Sequence, residues 1–491
     1  MMAFVLGTMT AAQALANDAV DGTKVTFTKD VLPILQENCQ DCHRTGGANL
    51  GGMVAPMAFV TYQEVRPWAK AIAKEVQARN MPPWDASPEF QGVFKNERSL
   101  TEDEIATLVA WAATGAANGN PNDAPQPLTF PESGGWQIGT PDLVVEMPEK
   151  YFVADDVEDL YITFNVELTE EQLPEDRYIK AIEFRPGSSV VHHIISDPLG
   201  GLAPGNDPTV FADGYYQELR KGTAVSFQMH YHKEPGPGTG VWDRSSAAVK
   251  FYPKGEKPEH QIRTAVLGHM DFKIPAGDSN YTDTIEESFD QDIEIISFSP
   301  HMHLRGKSAQ YRAKYADGNV KSLLDVPNYD FNWQTSYEFN DPPVLPAGTK
   351  VHLTMAWDNS ADNPHNPDPT KEVVFGQPTT AEMMFGFMRF AYLEEPEESE
   401  VDAAALTAFV GTYKFDVRGG TSFTISLKGG KLMADFPGNP PFPIASKAKD
   451  QFEFALASMV LNFKRNDDDD VDAVVMHNQG DVHRATKVKK E

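Results

Sequence analysis

Apolar positions recur at helical spacing through the first hundred or so residues and then change to the shorter, alternating rhythm of strands. Val31, Ile34 and Leu35 share one helical face; Thr61-x-x-Glu64 forms a capping box ahead of Val65, Trp68, Ile72 and Val76; and Thr101-x-x-Glu104 opens a third helix carrying Ile105, Leu108 and Ala112, with Gly115 as its stop. From Gly115 to Gly135 the chain is dense in Pro, Gly, Asn and Asp without periodicity, which marks a linker. Short runs such as DLVVEM, YIKAIEF, TAVSFQMHYH and AAVKFYP then alternate β-branched and aromatic residues between turn signals as far as residue 393. An acidic break, EEPEESE, precedes a tail with strand-like segments such as SFTISL and FEFALA. The pattern predicts a multidomain chain. It has an N-terminal all-α domain over 17–116, a linker over 117–135, two central all-β, jelly-roll-like sandwiches over 136–256 and 257–393, an acidic linker over 394–402, and a small C-terminal β domain over 403–491.

Composition narrows the class. The 491 residues exceed what one core organises, and 71 acidic against 42 basic residues give a net charge of -29, which disfavours a phosphate backbone as partner. No apolar run approaches the roughly 20 residues of a membrane helix, so no transmembrane segment is expected. Residues 1–16 read as a signal peptide, an apolar stretch ending in Ala14-Leu15-Ala16, and predict an exported, periplasmic or secreted bacterial protein.

The two cysteines occur together, in NCQDCHRTGG. Cys39-x-x-Cys42-His43 places two thioether donors within one helical turn and an imidazole under a porphyrin iron, and so predicts one covalent haem c. Met81, in RNMPPW, resembles the axial methionine of the cytochrome c family, with Met53 and Met57 as competitors. The two prolines after Met81 stiffen the loop that would present its sulfur. On this reading the N-terminal domain is an all-α cytochrome c domain.

Six of the other twelve histidines fall in three strings: VVHHII, with His192 and His193; QMHYHK, with His230 and His232; and PHMHLRG, with His301 and His303. On a strand, residues i and i+2 face the same way, so His301 and His303 can reach one ion while Met302 faces elsewhere. Adjacent His192 and His193 face opposite sides unless a bulge or a strand end intervenes. Imidazole suits zinc, copper, iron or nickel, and a thioether shifts preference toward Cu(I). TTAEMMFGFMRF supplies such sulfurs downstream, Met383 foremost, with Met384 one step out of register.

Taken in order, these strings resemble the copper-ligand series of the copper type II, ascorbate-dependent monooxygenases, the family of peptidylglycine α-hydroxylating monooxygenase and dopamine β-monooxygenase. The resemblance covers about residues 136–393. It implies two copper ions: an electron-transfer copper on His192, His193 and His230, and an oxygen-binding, catalytic copper on His301, His303 and Met383. Gln228 matches a glutamine found near the first copper in that family, and His232 has no counterpart in the series. Two positions depart from the peptide-amidating member, Ser299 standing in place of its arginine and Phe387 in place of its tyrosine, and the family disulfides are absent. The resemblance implies hydroxylation of a C–H bond of a small-molecule or peptide substrate with O2, using an external donor, an ascorbate-like reductant or a redox protein; the haem expected on the same chain, and not the resemblance, suggests a route for those electrons to the first copper. The alternatives are a periplasmic electron-transfer or copper-holding cytochrome without hydroxylase activity, and a binding module whose histidines hold zinc.

Overall fold

The computed structural model describes residues 24–47, 55–130, 135–268, 270–395, 403–416, 421–428, 431–436, 442–454, 459–478 and 481–488. The proposed signal peptide and Met53 lie outside them. The chain divides into two compact units, one built from Met1–Ala48, Ala55–Pro82 and Arg98–Phe130, the other from the remainder.

The expected all-α N-terminal domain is corrected by the structure. Strands account for 41% of the molecule and helix for only 12%, and the N-terminal unit is no sizeable helical domain. Its α-helices are Leu32–Asn38, Tyr62–Val65, Ala69–Gln77 and Glu102–Ala113. Both capping boxes form, yet the helix started by Thr61 tightens to a 3-10 turn at Arg66–Trp68, where Pro67 has no N–H to give to the turn before it. After Gln77 the left-handed Arg79, at φ 57°, and the Pro82-Pro83 pair rule out further helix. Residues 39–47 and 55–61 form turns and irregular backbone. Val31, Leu35, Val65, Ile72, Val76, Leu108 and Trp111 make a small core, whereas Trp68, expected on the same face, is exposed.

The second unit begins unexpectedly early. Residues 83–97, which the sequence pattern places among the helices, pack into its β core: Phe94 bridges Phe339, the Ser87 N–H donates to Asp325 O, and Phe90 and Phe94 are buried with Phe298, Tyr337 and Phe339. Arg98–Phe130 then returns to the first unit.

Two pairs of sheets follow. In the first, the strands Leu143–Glu146, Ser246–Phe251, Arg177–Arg185 and Tyr215–Leu219 face a sheet ordered Asp159–Glu167, Ala224–His232, Val191–Ser196, Gly200–Leu202. Val145, Ile182 and Val249 from one sheet and Val225, Phe227 and Met229 from the other share one core. In the second pair, Arg263–Gly268, Phe385–Tyr392 and Ile293–His301 face Tyr281–Ser288, Lys350–Trp357, Gly306–Lys314 and Val320–Val326, around Phe298, Tyr311, Leu353 and Met388. Beyond residue 403, eight sequentially paired strands from Gly411–Phe415 to Asp481–Lys487 close into a barrel with its own core of Tyr413, Phe423, Phe452 and Phe463.

Candidate metal centre

The requirement set by the adjacent histidines is met by a register shift. Pairing between Val191–Ser196 and Ala224–His232 slips between Val191 and His193, so a bulge turns His192 and His193 toward the same ion-sized space. His230 comes from the partner strand, and one nitrogen from each of the three rings lies within 4.8 Å of the other two. The Nδ1 atom of His193 is 3.4 Å from Nδ1 of His192 and 3.3 Å from Nδ1 of His230. Three neutral imidazoles cannot all donate to one another, so nitrogens gathered this way suit a cation at their centre.

The second set grows from the end of Ile293–His301. Alternation sends Met302 into the core, where Tyr329 Oη donates to its carbonyl and accepts from its N–H, while His301 and His303 stand together with ring centroids 5.3 Å apart. Gln334 Oε1 lies 2.7 Å from His301 Nδ1; as the acceptor it fixes the proton there and leaves Nε2 for a metal. His303 Nδ1 donates to Ala381 O at 3.3 Å, and its Nε2 is buried with no hydrogen-bond partner. Glu382 ties the two strings together, because its carboxylate accepts the His303 N–H at 2.8 Å, the Arg305 N–H at 2.7 Å and Trp357 Nε1–H at 3.2 Å. Met383 follows Glu382 and is half-buried; Met384 is fully buried in the sandwich core and is committed to packing.

The two sets adjoin. The His193 and His301 rings are 6.0 Å apart, and Phe331 lies between the sets, stacked on His192 at 4.6 Å and edge-on to His303 at 6.1 Å. Burial keeps all five rings neutral: it pushes His192 and His193 well below the ordinary imidazole value, His301 down to about 4 and His303 to about 3, with the neighbouring imidazoles acting in the same direction on His192, His193 and His303. Their lone pairs are therefore available across the neutral range. Burial likewise lowers His230, although Asp159 opposes it.

Asp159 is the group the sequence does not announce. It hydrogen-bonds His230 Nε2 through Oδ1, and its Oδ2 accepts from the Thr379 N–H at 3.0 Å and Thr379 Oγ1–H at 3.2 Å. Burial alone would raise its carboxyl, but the hydrogen bonds from His230 and Thr379, with the His232 ring close by, outweigh that and hold it well below the usual range. Tyr161 stacks on His230 at 4.1 Å. Ser299 bonds Ser336, Oγ to Oγ at 2.6 Å, and pairs across the sheet with Phe387.

In the N-terminal unit, Cys39 and Cys42 are half-buried and not bridged to each other, and burial pushes the Cys39 thiol up to about 12, with Cys42 and Glu104 adding to the shift. His43 stacks on Phe59 at 4.3 Å and donates from Nδ1 to Met57 O at 3.2 Å, which leaves its Nε2 for an iron. Met57 packs against the helical core, whereas Met81 is 41% exposed and takes no part in it.

Residues 395–489 match a family described as a domain of unknown function, DUF3471. No curated protein matches the chain. Among solved structures, a Eubacterium rectale protein described as secreted is 10% identical over 47% of this chain and 69% of its own, with a TM-score of 0.17. The major capsid protein P2 of bacteriophage PM2 is 8% identical over 52% of this chain and 99% of its own, with a TM-score of 0.20. Likeness at this level carries no argument. Among the described residues, no helix is long and apolar enough to cross a membrane.

Proposed function

We propose that the protein is an exported copper-dependent monooxygenase that hydroxylates a C–H bond of a small organic or peptide substrate with O2, and that it carries a covalent haem. The observation that carries this reading is the gathering of five imidazoles, His193, His230 and His303 buried and His192 and His301 half-buried, into two adjoining sets beside the Met383 segment. When bound, copper supplies one-electron storage and O2 reduction, and a haem on Cys39, Cys42 and His43 supplies a further one-electron carrier. The chain's own contribution is positional. Burial keeps the rings unprotonated, Gln334 aims His301, Asp159 fixes His230, and Glu382 holds the backbone of His303 close to that of Met383. Met383, as a thioether, favours Cu(I) at the second set. Ser299 and Phe387, a cross-strand pair next to His301, are both neutral side chains.

Metal analysis of the purified chain, followed by oxygen-uptake assays against panels of uncharged organic molecules and peptides, tests this. At least two copper ions and one haem iron per chain, with uptake stimulated by substrate, are expected. Zinc without copper would overturn the reading, and oxygen uptake indifferent to every substrate would leave an electron-transfer or copper-holding protein in its place.

A further inference from the structure

His232 was left outside the ligand series, and the geometry gives it a partner set. Asp159–Glu167 and Ala224–His232 pair antiparallel with Asp159 directly opposite His232 and Tyr161 opposite His230. Period-two alternation puts His230 and His232 on one face of their strand, so the Asp159 carboxylate sits across from one imidazole and diagonal to the other. One ligand atom from each of Asp159, His230 and His232 lies within 4.8 Å of the other two. His232 Nδ1 is buried without a hydrogen-bond partner, 3.7 Å from Asp159 Oδ1, while the His232 side chain as a whole is 39% exposed. His230 is common to both histidine sets and uses different nitrogens for them: Nδ1 faces His193 and Nε2 faces Asp159.

We propose that Asp159, His230 and His232 form an additional divalent-metal site, joined through the His230 ring to the His192–His193–His230 set. Two imidazoles and one carboxylate are the donors of zinc or copper(II), and poor ones for calcium or magnesium, which prefer all-oxygen shells. Tetrahedral ligands at about 2.0–2.1 Å from a metal stand ~3.3 Å apart, so the Asp159–His230 contact opens slightly on binding while Thr379 keeps hold of Oδ2. A neutral His230 has one N–H. When both of its nitrogens bind metal, that proton leaves to solvent and the ring bridges as imidazolate. The exposed side of His232 leaves the fourth position to water.

The test is titration of the metal-free, full-length chain with Zn2+ alone, counting bound zinc and released protons. His232→Ala and Asp159→Asn are each expected to bind one zinc ion fewer than the parent, His192→Ala to lose a different one, and the His192→Ala/His232→Ala double variant to lose two. Asp159→Asn keeps an oxygen that can accept from His230, so a purely orienting role for Asp159 predicts an unchanged count. Unchanged zinc counts in both His232→Ala and Asp159→Asn, or a parent that fills only the His192 set, would overturn the site. Thermal melts of each variant identify any loss caused by misfolding, and Asp159→Asn, the near-isosteric change, then decides. Copper content is measured separately: a parent chain that takes zinc here but never takes copper would sink the oxygenase reading and leave this site standing.

Discussion

At the scale of single residues, the site is defined by imidazoles that resist protonation while folded. Five imidazoles have folded values below the ordinary one, so the unfolded chain binds protons near pH 6.5 that the folded chain refuses. Stability of the metal-free protein is thus fully present above that pH and is lost as pH falls toward 4, each ring contributing up to ~1.4 kcal/mol per pH unit. Urea midpoints measured from pH 8 to pH 4.5 should fall steeply below 6.5; a flat profile would contradict the burial. The neighbouring methionines separate packing from ligation. Met384→Ala empties a fully buried core position and should cost about 2–5 kcal/mol. Met383→Ala should cost less than about 1 kcal/mol, yet weaken retention of Cu(I) against a chelator. The histidine strings were legible in the sequence because strand alternation is a local rule. Asp159 and Gln334 were not, since they meet their imidazoles from 71 and 33 residues away, and nothing local marks either one.

At the scale of elements, the bulge between Val191 and His193 is the device that makes the site possible, and it is legible beforehand only as a stereochemical requirement of two adjacent ligands. Gly386 shows a second constraint of this kind. It pairs with Pro300, next to His301, and a Cβ there would lie 2.5 Å from Tyr311 Oη and 2.3 Å from Leu353 Cδ2, both in the facing sheet. Gly386→Ala should therefore displace the ends of these two fully buried side chains beside the site, costing about 1–3 kcal/mol in a denaturation experiment and loosening metal retention with it. The short helices illustrate the opposite outcome. Their capping boxes and apolar spacing were readable, but the spacing ran straight through Pro67, where a missing donor tightens the helix to a 3-10 turn and leaves Trp68 exposed. A periodic pattern says which face is apolar more reliably than it says how long the element is.

At the scale of the whole molecule, the units differ in how self-contained they are. The C-terminal barrel closes on itself, Gly411–Phe415 pairing with Asp481–Lys487, and among the described residues its core is drawn from 406 onward. Expressed alone, residues 403–491 should unfold in one cooperative transition, and a chain ending at 395 should keep its metal count; a barrel that melts without cooperativity would show that its stability is borrowed. The second sandwich is the less independent body, since Phe90 and Phe94 are part of its core although they come from the N-terminal hundred residues. During synthesis, Lys95 emerges 243 residues ahead of its partner Glu338. At ribosomal speeds of ~5–20 residues per second, the nascent chain waits on the order of 10–50 s with Phe90 and Phe94 uncovered. That interval is an opening for a holding chaperone, and it ties maturation of the second sandwich to the arrival of residues beyond 340.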